Sequence, residues 1–295
     1  MKKYISFDIG GTKVKHCLLL EDATILSKSS YTTHTSNLEM LLKDMVETIE
    51  KYMENHHVSG VAVSMPGFIN PHTGYSETGG SVYALSNQNL KALLEARIPL
   101  QVEIENDGNC ATLAEKISGN AINCSDFVCV ILGTGVGGGI FIDGKILHGH
   151  SFRGGEFGFM VTKSGNKFKD WHSDASTSAL IHSYKKLKGI SEYEKISGKK
   201  VFLESEKNQS VRKLIEGWTK KVSYRLFNLA ATLNPQKILI GGGVSAQSDL
   251  ISMINEQLDK IPLWKDFKVP VERCKYENDA GMIGAMYHLK QKQSR

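Results

Sequence analysis

Apolar positions along this chain follow two different spacings, and together they predict an α/β fold. Apolar runs rich in β-branched residues predict strands. The clearest of these runs are Tyr4–Ile9, Val14–Leu20, Val58–Ser64, Asp126–Leu132 and Lys237–Ile240. Apolar residues three and four positions apart predict helices, of which the longest begins near Val211 and ends before Asn234-Pro235. Strands and helices alternate along the chain, which is typical of α/β proteins.

Polar residues mark the predicted starts of two helices. The run Ser36-Asn37-Leu38-Glu39 has the spacing of a capping box, with Ser36 as the N-cap of an amphipathic helix that ends near Met53. Ser245 is the predicted cap of a helix from Asp249 to Leu258. In both cases a hydroxyl would accept a hydrogen bond from a backbone N–H group of the first helical turn.

A pattern of strand, glycine turn and strand occurs twice. The first copy turns at Gly10-Gly11, and the second has its glycines at 133–139 and its second strand at 140–142. Backbone N–H groups of a glycine turn can close around an anion. Two related halves, each with one such hairpin, are therefore predicted to bind a nucleotide, although an ordinary hairpin turn is the alternative for either copy.

Composition and charge narrow the possible partners. The 295 residues are 41% hydrophobic and carry a net charge of +5, and the lysines are spread along the chain. A clustered basic patch would be needed to favour nucleic-acid binding, and these lysines do not form one. Nucleic-acid binding is therefore not predicted. The five cysteines form no CxxC pair, and we expect reduced thiols in a cytoplasmic protein. The most apolar run, at 127–142, is too short and too rich in glycine to span a bilayer, and no membrane association is predicted.

Several acidic residues occur at positions suited to chemistry. Asp8 ends the first strand, where its carboxylate could hold Mg²⁺ beside a phosphate, with the Thr12 hydroxyl and the Lys13 charge close by. Asp107 follows a strand and Asn106, where it could act as a general base on a substrate hydroxyl. A helix cap is the alternative for that pair. Glu156, among glycines, is either a substrate ligand or a loop acid.

Two other motifs are less specific. The glycines from Gly133 onward match the dinucleotide fingerprint GxGxxG, but that fingerprint requires a helix immediately after it, and here a strand is predicted. The glycines 241–243, between a strand and a helix, could approach a nucleoside or could make a tight connection. His148, His150 and His172 match no zinc spacing, and we interpret them as loop or surface residues.

Taken in order, the motifs resemble the ROK family of bacterial sugar kinases and repressors, across nearly the whole chain. The motifs are DIGGTK at 8–13, Pro66-Gly67, END at 105–107, LGTGVGGG at 132–139, GGEFG at 154–158 and GGGVS at 241–245. The resemblance implies a two-domain actin-like fold, also called ribonuclease H-like or hexokinase-like, with ATP in an interdomain cleft. No helix-turn-helix precedes DIGGTK, so the kinase branch is expected.

The resemblance also implies site residues and domain limits. Asp107 is the implied catalytic base on the sugar 6-hydroxyl, Asn106, Glu156 and Gly67 are implied sugar-binding residues, and Asp8 is the implied holder of Mg²⁺ through water. The implied nucleotide-binding residues are Asp8, Gly10, Gly11, Thr12, Lys13, Gly133, Thr134, Gly135, Gly241, Gly242 and Gly243. The expected domains are 1–116, with the closing helix 279–295 packing back on it, and 117–278.

The departures from the family pattern concern the anomeric end of the sugar. Many members have a histidine at the position of Phe159, and the CxCGxxGCxE zinc motif is missing, so structural zinc is not expected. His172 stands where the family has a glutamate that contacts the anomeric hydroxyl. Phe159 and His172 are therefore expected to bind a substrate substituted at O1. The chain thus resembles the β-glucoside kinases, which phosphorylate cellobiose and aryl β-glucosides at the 6-hydroxyl.

Other functions stay open at this point. N-acetylmannosamine kinase and glucokinase are alternatives within the family, and a non-catalytic sugar-binding regulator is an alternative of another class. The intact Asp8, Asp107 and both glycine loops argue against a degenerate protein. A homodimer is expected only because the family dimerises.

Overall fold

The computed structural model describes residues 1–163 and 168–294, which form both helices and strands. The strands are β1 Lys3–Ile9, β2 Lys13–Leu20, β3 Ile25–Thr32, β4 Val61–Met65, β5 Tyr75–Ser76, β6 Gln88–Asn89, β7 Val102–Asn106, β8 Phe127–Leu132, β9 Val136–Ile142, β10 Lys145–Ile146, β11 Val161–Lys163, β12 Lys169–Asp170, β13 Lys237–Gly241 and β14 Val271–Arg273. The α-helices are α1 Leu38–Met53, α2 Leu90–Glu95, α3 Asp107–Ser118, α4 Trp171–Ala175, α5 Thr177–Lys188, α6 Gly198–Ser205, α7 Gln209–Leu233, α8 Leu250–Leu258, α9 Trp264–Phe267 and α10 Ala280–Gln293.

The chain divides into two compact units. The first unit comprises Met1–Asn123, Ile146–Gly154 and the chain from Asn278 onward, and the second comprises Cys124–Lys145 and Gly155–Glu277. Such units reflect contacts within the chain, whereas domain limits concern independent folding. The predicted limits at 116 and 117 therefore stay a prediction.

The first unit is built on a five-stranded sheet in the order β3-β2-β1-β4-β7. Strand β2 is antiparallel to both β1 and β3, whereas β4 runs parallel to β1 and β7 runs parallel to β4. Helix α10 packs close to α3. This close packing requires glycine at Gly284, because a Cβ there would overlap the backbone of Cys110. Ser6 of β1 donates a hydrogen bond to the carbonyl of Met282 in α10 (2.7 Å). The last helix is thus anchored on the first strand.

The second unit repeats this topology in a sheet of order β10-β9-β8-β13-β14. Strands β8 and β9 form an antiparallel hairpin, and β13 and β14 run parallel to β8. Helix α7 buries Val211, Ile215 and Trp218 against the apolar core of this unit. It ends at Asn234, which adopts a left-handed conformation (φ 44°) before a proline, as its sequence predicts.

Two predicted helix caps are wrong. The N-cap of α1 is Asn37, whose side chain accepts from the Met40 N–H, so Ser36 lies one residue too early. Ser245 lies inside a short 3₁₀ turn at Gly243–Ala246, and α8 begins only at Leu250. Serine and asparagine are both good caps, and the sequence alone does not choose between adjacent ones.

Two strand predictions also need correction. Strand β3 has no counterpart among the predicted strands, because most of its residues are polar and exposed, as is usual for an edge strand. The second glycine turn is shorter than predicted, since β9 begins at Val136 and contains the glycines 137–139. The strand after the turn, rather than a helix, confirms that the GxGxxG match is not a dinucleotide fingerprint.

Among the described residues, none of the helices is both long and apolar enough to cross a membrane.

Candidate functional site

The first glycine turn carries the carboxylate of Asp8 at its base. The Asp8 side chain accepts hydrogen bonds from the Ser64 hydroxyl (2.9 Å) and the Lys15 ammonium (3.0 Å), and it is 18% exposed. A Cβ on Gly281 would lie 2.5 Å from its Oδ1, so glycine at the start of α10 leaves this carboxylate its space. Asp8 is thus held in one position with part of its surface open.

The turn itself is fixed by a threonine of the first unit. Thr33 donates its hydroxyl to the carbonyl of Gly10 (2.6 Å) and its N–H to the carbonyl of Thr12 (3.1 Å). The N–H of Gly10 is used within the turn, where it donates to the carbonyl of Lys13 (3.0 Å). Gly11, Thr12 and Lys13 are exposed, although the carbonyls of Thr12 and Lys13 are used in these hydrogen bonds.

Asn106 and Asp107 lie where β7 ends and α3 begins. Asn106 is the N-cap, and its side-chain oxygen Oδ1 accepts from the Asn109 N–H (3.1 Å), so the cap interpretation is confirmed for this residue. Its amide also donates to the carbonyl of Gly67 (3.1 Å), which brings two predicted sugar-binding residues together. Gly67 needs to be glycine, because its φ is 110° and a Cβ would meet the Thr78 carbonyl. Asp107 is the first helical residue and is exposed.

A buried acid beside this pair escaped the sequence analysis. Glu105 is 1% exposed, and its carboxylate accepts from the Asn106 N–H (2.7 Å), the Asn109 amide (3.1 Å) and Nε2 of His148 (2.7 Å). Burial alone would raise the pKa of Glu105, but the hydrogen bond from His148 and the proximity of His288 hold it below its usual range. Its sequence signals were its place in the END motif at 105–107 and its position directly before Asn106 in a predicted strand, but no role was assigned to it.

The second glycine turn, Gly133–Gly135, is also tied by a threonine. Thr177, at the start of α5, donates its N–H to the carbonyl of Gly133 (3.0 Å) and its hydroxyl to the carbonyl of Leu132 (2.9 Å). Neither Thr33 nor Thr177 could be found from sequence, since each lies more than twenty residues from its turn. Thr134 is exposed at the tip, as its predicted contact with a phosphate requires.

His172 packs against this turn. Its Nδ1 accepts a hydrogen bond from the Val136 N–H (2.9 Å), so the neutral ring carries its proton on Nε2. A Cβ on Gly135 would lie 2.8 Å from that Nδ1, and a Cβ on Gly158 would overlap the ring. The two glycines therefore shape the space that His172 occupies.

Phe159 contacts His172 edge to face, with ring centroids 4.9 Å apart and an interplanar angle of 87°. The phenylalanine is 57% exposed, so part of its surface is open to a ligand. Glu156 lies three residues earlier and is half-buried, and burial raises the pKa of its carboxyl group. The second unit thus brings Phe159 and His172 into direct contact, as their shared predicted role requires.

Packing and backbone conformation require glycine at two of the three positions 241–243. A Cβ on Gly241 would lie 2.6 Å from Cδ1 of Ile131. Gly242 has a φ of 88°, and a Cβ on it would overlap the Leu132 carbonyl. These contacts account for a tight connection after β13. They leave Gly243 exposed, and a nucleoside contact there stays a prediction.

The potential metal ligands are dispersed among the described residues. Within residues 1–163 and 168–294, no three or more His, Cys, Asp and Glu side chains lie together so that they could hold a metal ion. His148 bonds to Glu105 and His172 to Val136, as described above. Asp8 is different, because one partly exposed carboxylate beside a glycine turn fits Mg²⁺, which keeps several waters and needs few protein ligands.

Comparison with known proteins places this chain in a family. The model of the ROK family matches residues 4–292. The chain belongs to the ROK family. A β-glucoside kinase of Listeria monocytogenes is 35% identical over 99% of both chains.

Solved structures agree with this assignment. The Lmo2764 protein of Listeria monocytogenes, proposed to be an N-acetylmannosamine kinase, superposes with a TM-score of 0.90 at 34% identity and covers 99% of both chains. A ROK family protein of Streptococcus pneumoniae in complex with sucrose gives a TM-score of 0.88 at 27% identity, over 99% of this chain and all of the other.

These matches establish the fold and the general activity. The two five-stranded sheets with their helices form the actin-like, hexokinase-like fold of this family, which confirms the predicted fold class. The protein is an ATP-dependent carbohydrate kinase, an enzyme that transfers a phosphoryl group to an alcohol.

Proposed function

We propose that this kinase transfers the γ-phosphate of ATP to the 6-hydroxyl of a glucosyl unit whose anomeric oxygen is substituted, most simply a β-glucoside such as cellobiose. The observation that carries the proposal is the exposed ring of Phe159, fixed edge to face on His172. An aromatic face can stack on a second sugar or an aryl aglycone, whereas it offers no group to bind a free anomeric hydroxyl.

The relatives support this substrate class. The 35% identical protein of Listeria monocytogenes is a β-glucoside kinase, and the related structure from Streptococcus pneumoniae contains sucrose, in which the anomeric oxygen of glucose is likewise substituted. One structural neighbour is proposed to act on N-acetylmannosamine, so that sugar is the second candidate.

Asp107 is the proposed general base. It is exposed at the first position of α3, and Asn106 before it is held by Gly67 and by its own helix, so a sugar hydroxyl could meet both side chains. Phosphoryl transfer depends mostly on positioning and on charge neutralisation, with one residue orienting the nucleophile and accepting its proton. Asn106, Gly67 and Glu156 are the proposed ligands of the sugar.

Binding of ATP is assigned to the two glycine turns. The turns Gly10–Lys13 and Gly133–Gly135 are the proposed contacts of the phosphates, through the Thr12 and Thr134 hydroxyls, the Lys13 charge and backbone N–H groups other than those of Gly10 and Gly133, which donate within their own turns. Residues 241–243 are the proposed contacts of the nucleoside. Asp8 would hold Mg²⁺ through water. When bound, that ion neutralises phosphate charge, and Asp8 itself contributes a fixed carboxylate.

The deciding experiment measures ADP formation by the purified protein with ATP and Mg²⁺. Cellobiose, glucose and N-acetylmannosamine are compared side by side, and ³¹P and ¹³C NMR of the product locate the new phosphate. A kcat/KM for cellobiose at least about tenfold above the others supports the proposal. Preference for a free monosaccharide contradicts the role of Phe159, and binding of sugar without turnover favours a regulator.

Two substitutions sharpen this test. Asp107→Asn should lower kcat by about 100-fold or more, because the base is lost while the side-chain volume is kept. Phe159→Ala should raise the KM for cellobiose about tenfold with little change for glucose, since only the glycoside reaches the ring. Phe168→Ala is the matched control, because Phe168 is an exposed aromatic residue of the same unit (69%) with no proposed contact.

A homodimer and a cytoplasmic location complete the proposal. Both rest on what is usual for this family. Sedimentation of the purified protein tests the first, and fractionation of its cells of origin tests the second.

A further inference from the structure

The carboxylate of Glu105 joins three parts of the first unit. One oxygen, Oε1, accepts from the Asn106 N–H (2.7 Å) and from the Asn109 side chain (3.1 Å), both at the start of α3. The other, Oε2, accepts from His148 (2.7 Å) and has Nδ1 of His288 in α10 at 3.7 Å. This group is one residue from Asn106 and two from Asp107, and the proposed mechanism does not use it.

His148 is the partner with the best geometry. Glu105 is ionised, because its pKa lies below the usual range, so it can only accept, and His148 donates from Nε2. His288 is a weaker partner, since its Nδ1 is farther away and burial lowers its own pKa. The hydrogen bond from His148 is therefore the main contact that fixes Oε2.

His148 lies in a segment that is attached to the first unit at two points. Residues Ile146–Gly154 belong to that unit, although the chain on both sides belongs to the second. At the other end of the segment, Arg153 pairs with Glu77 (2.6 Å) and lies over the Phe68 ring (4.6 Å). The segment leads directly into Gly155 and Glu156. Besides the bond between His148 and Glu105, the contacts of Arg153 thus attach this short segment to the first unit at a second point.

We propose that His148 is a positioning residue for phosphoryl transfer: by fixing the Glu105 carboxylate, it sets the backbone of Asn106 and thereby the direction in which Asn106 and Asp107 present their side chains. This inference rests on the proposed role of Asp107 as the base. A buried carboxylate that loses its donor turns toward another donor or takes up a proton. Either change loosens the contact between Oε1 and the Asn106 N–H, and small displacements of catalytic groups are costly.

The experiment compares three variants of the full-length protein. His148→Leu removes the donor, His148→Gln keeps an amide N–H near the position of Nε2, and His150→Leu changes an exposed histidine of the same segment. For each variant, kcat and KM are measured. Hydrogen exchange of the backbone N–H groups of Asn106 and Asn109 is measured by NMR.

The proposal predicts a specific pattern. In His148→Leu, exchange of those two amides speeds up about tenfold and kcat falls about tenfold or more, while the KM for ATP changes less than about twofold. His148→Gln recovers both quantities to within about threefold of the wild type, and His150→Leu changes neither.

Other results overturn it. A leucine variant with a lower melting temperature but unchanged kcat and amide exchange would make the contact merely structural. A glutamine variant no better than leucine would exclude the donor as the cause. If the leucine variant does not fold, His148→Asn, whose amide is too short to reach Oε2, replaces it. If the wild type phosphorylates none of the tested sugars, the proposed function fails, yet amide exchange still decides whether His148 positions Asn106.

Discussion

The Gly10–Thr12 turn of the first unit and the Gly133–Gly135 turn of the second join antiparallel strands in sheets of the same topology. A threonine ties each turn through its N–H and its hydroxyl, Thr33 in the first unit and Thr177 in the second. The backbone design is therefore repeated, down to the residue type that holds it.

The side chains at the base of the two turns differ completely. In the first sheet, Asp8 is paired in register with Lys15 on one side and Ser64 on the other, and it makes a hydrogen bond with each. In the second sheet, the residue at the same place is Ile131, and its neighbours in register are the glycines 137 and 241.

This difference fits the different roles proposed for the two turns. The first turn combines backbone N–H groups with a fixed carboxylate, which suits a cation together with a phosphate. The second offers backbone and hydroxyl groups only, so it can bind phosphate without competing for the cation. Substitutions at equivalent places in the two turns should therefore have unequal effects.

The largest effect is expected for Asp8→Asn. The neutral amide cannot attract Mg²⁺, so kcat/KM should fall about 100-fold and the Mg²⁺ concentration for half-maximal rate should rise. A magnesium titration of initial rates measures both. Ile131→Val, at the equivalent place of the second turn, is the control and should leave the Mg²⁺ dependence unchanged. An Asp8→Asn enzyme with the wild-type Mg²⁺ dependence would contradict the proposed difference between the turns.

An intermediate effect is expected for Gly135→Ala. Its Cβ would lie 2.8 Å from Nδ1 of His172, so the ring or the turn must move, and we expect the KM for ATP to rise about tenfold. Gly137→Ala is the matched control two residues on, because nothing lies within 4 Å of a Cβ there. Initial rates at varied ATP measure both. Equal effects of the two substitutions would mean that the contact with His172 does not shape the turn.

The smallest effects are expected for the two threonines that tie the turns. Thr33→Val and Thr177→Val each remove one hydroxyl hydrogen bond while keeping the side-chain volume, so each should lower the free energy of unfolding by about 1 kcal/mol. Urea unfolding measures this, and the serine variants, which keep the hydroxyl, should lose less. If only one valine variant is destabilised, the two threonines are not equivalent.

Short sequence patterns were enough to predict much of the fold. Both glycine hairpins, the Asn106 cap and the end of α7 at Asn234 follow from short patterns, because turns and caps depend on neighbouring residues. Strand β3 did not follow, since an exposed edge strand has few apolar residues to reveal it. The caps at Ser36 and Ser245 failed because adjacent polar residues compete for the same position.

Short-range sequence pattern alone thus decided where the strands turn and where Asp8 and Asp107 lie, close to the ends of β1 and β7. Only the tertiary structure decided which distant residues contact the turns and strand ends: Glu105 meets His148 across 43 positions of the chain, and Val136 meets His172 across 36. A turn or a cap is determined by residues next to it. A buried carboxylate must find its donor wherever packing brings one, and no local pattern records that choice.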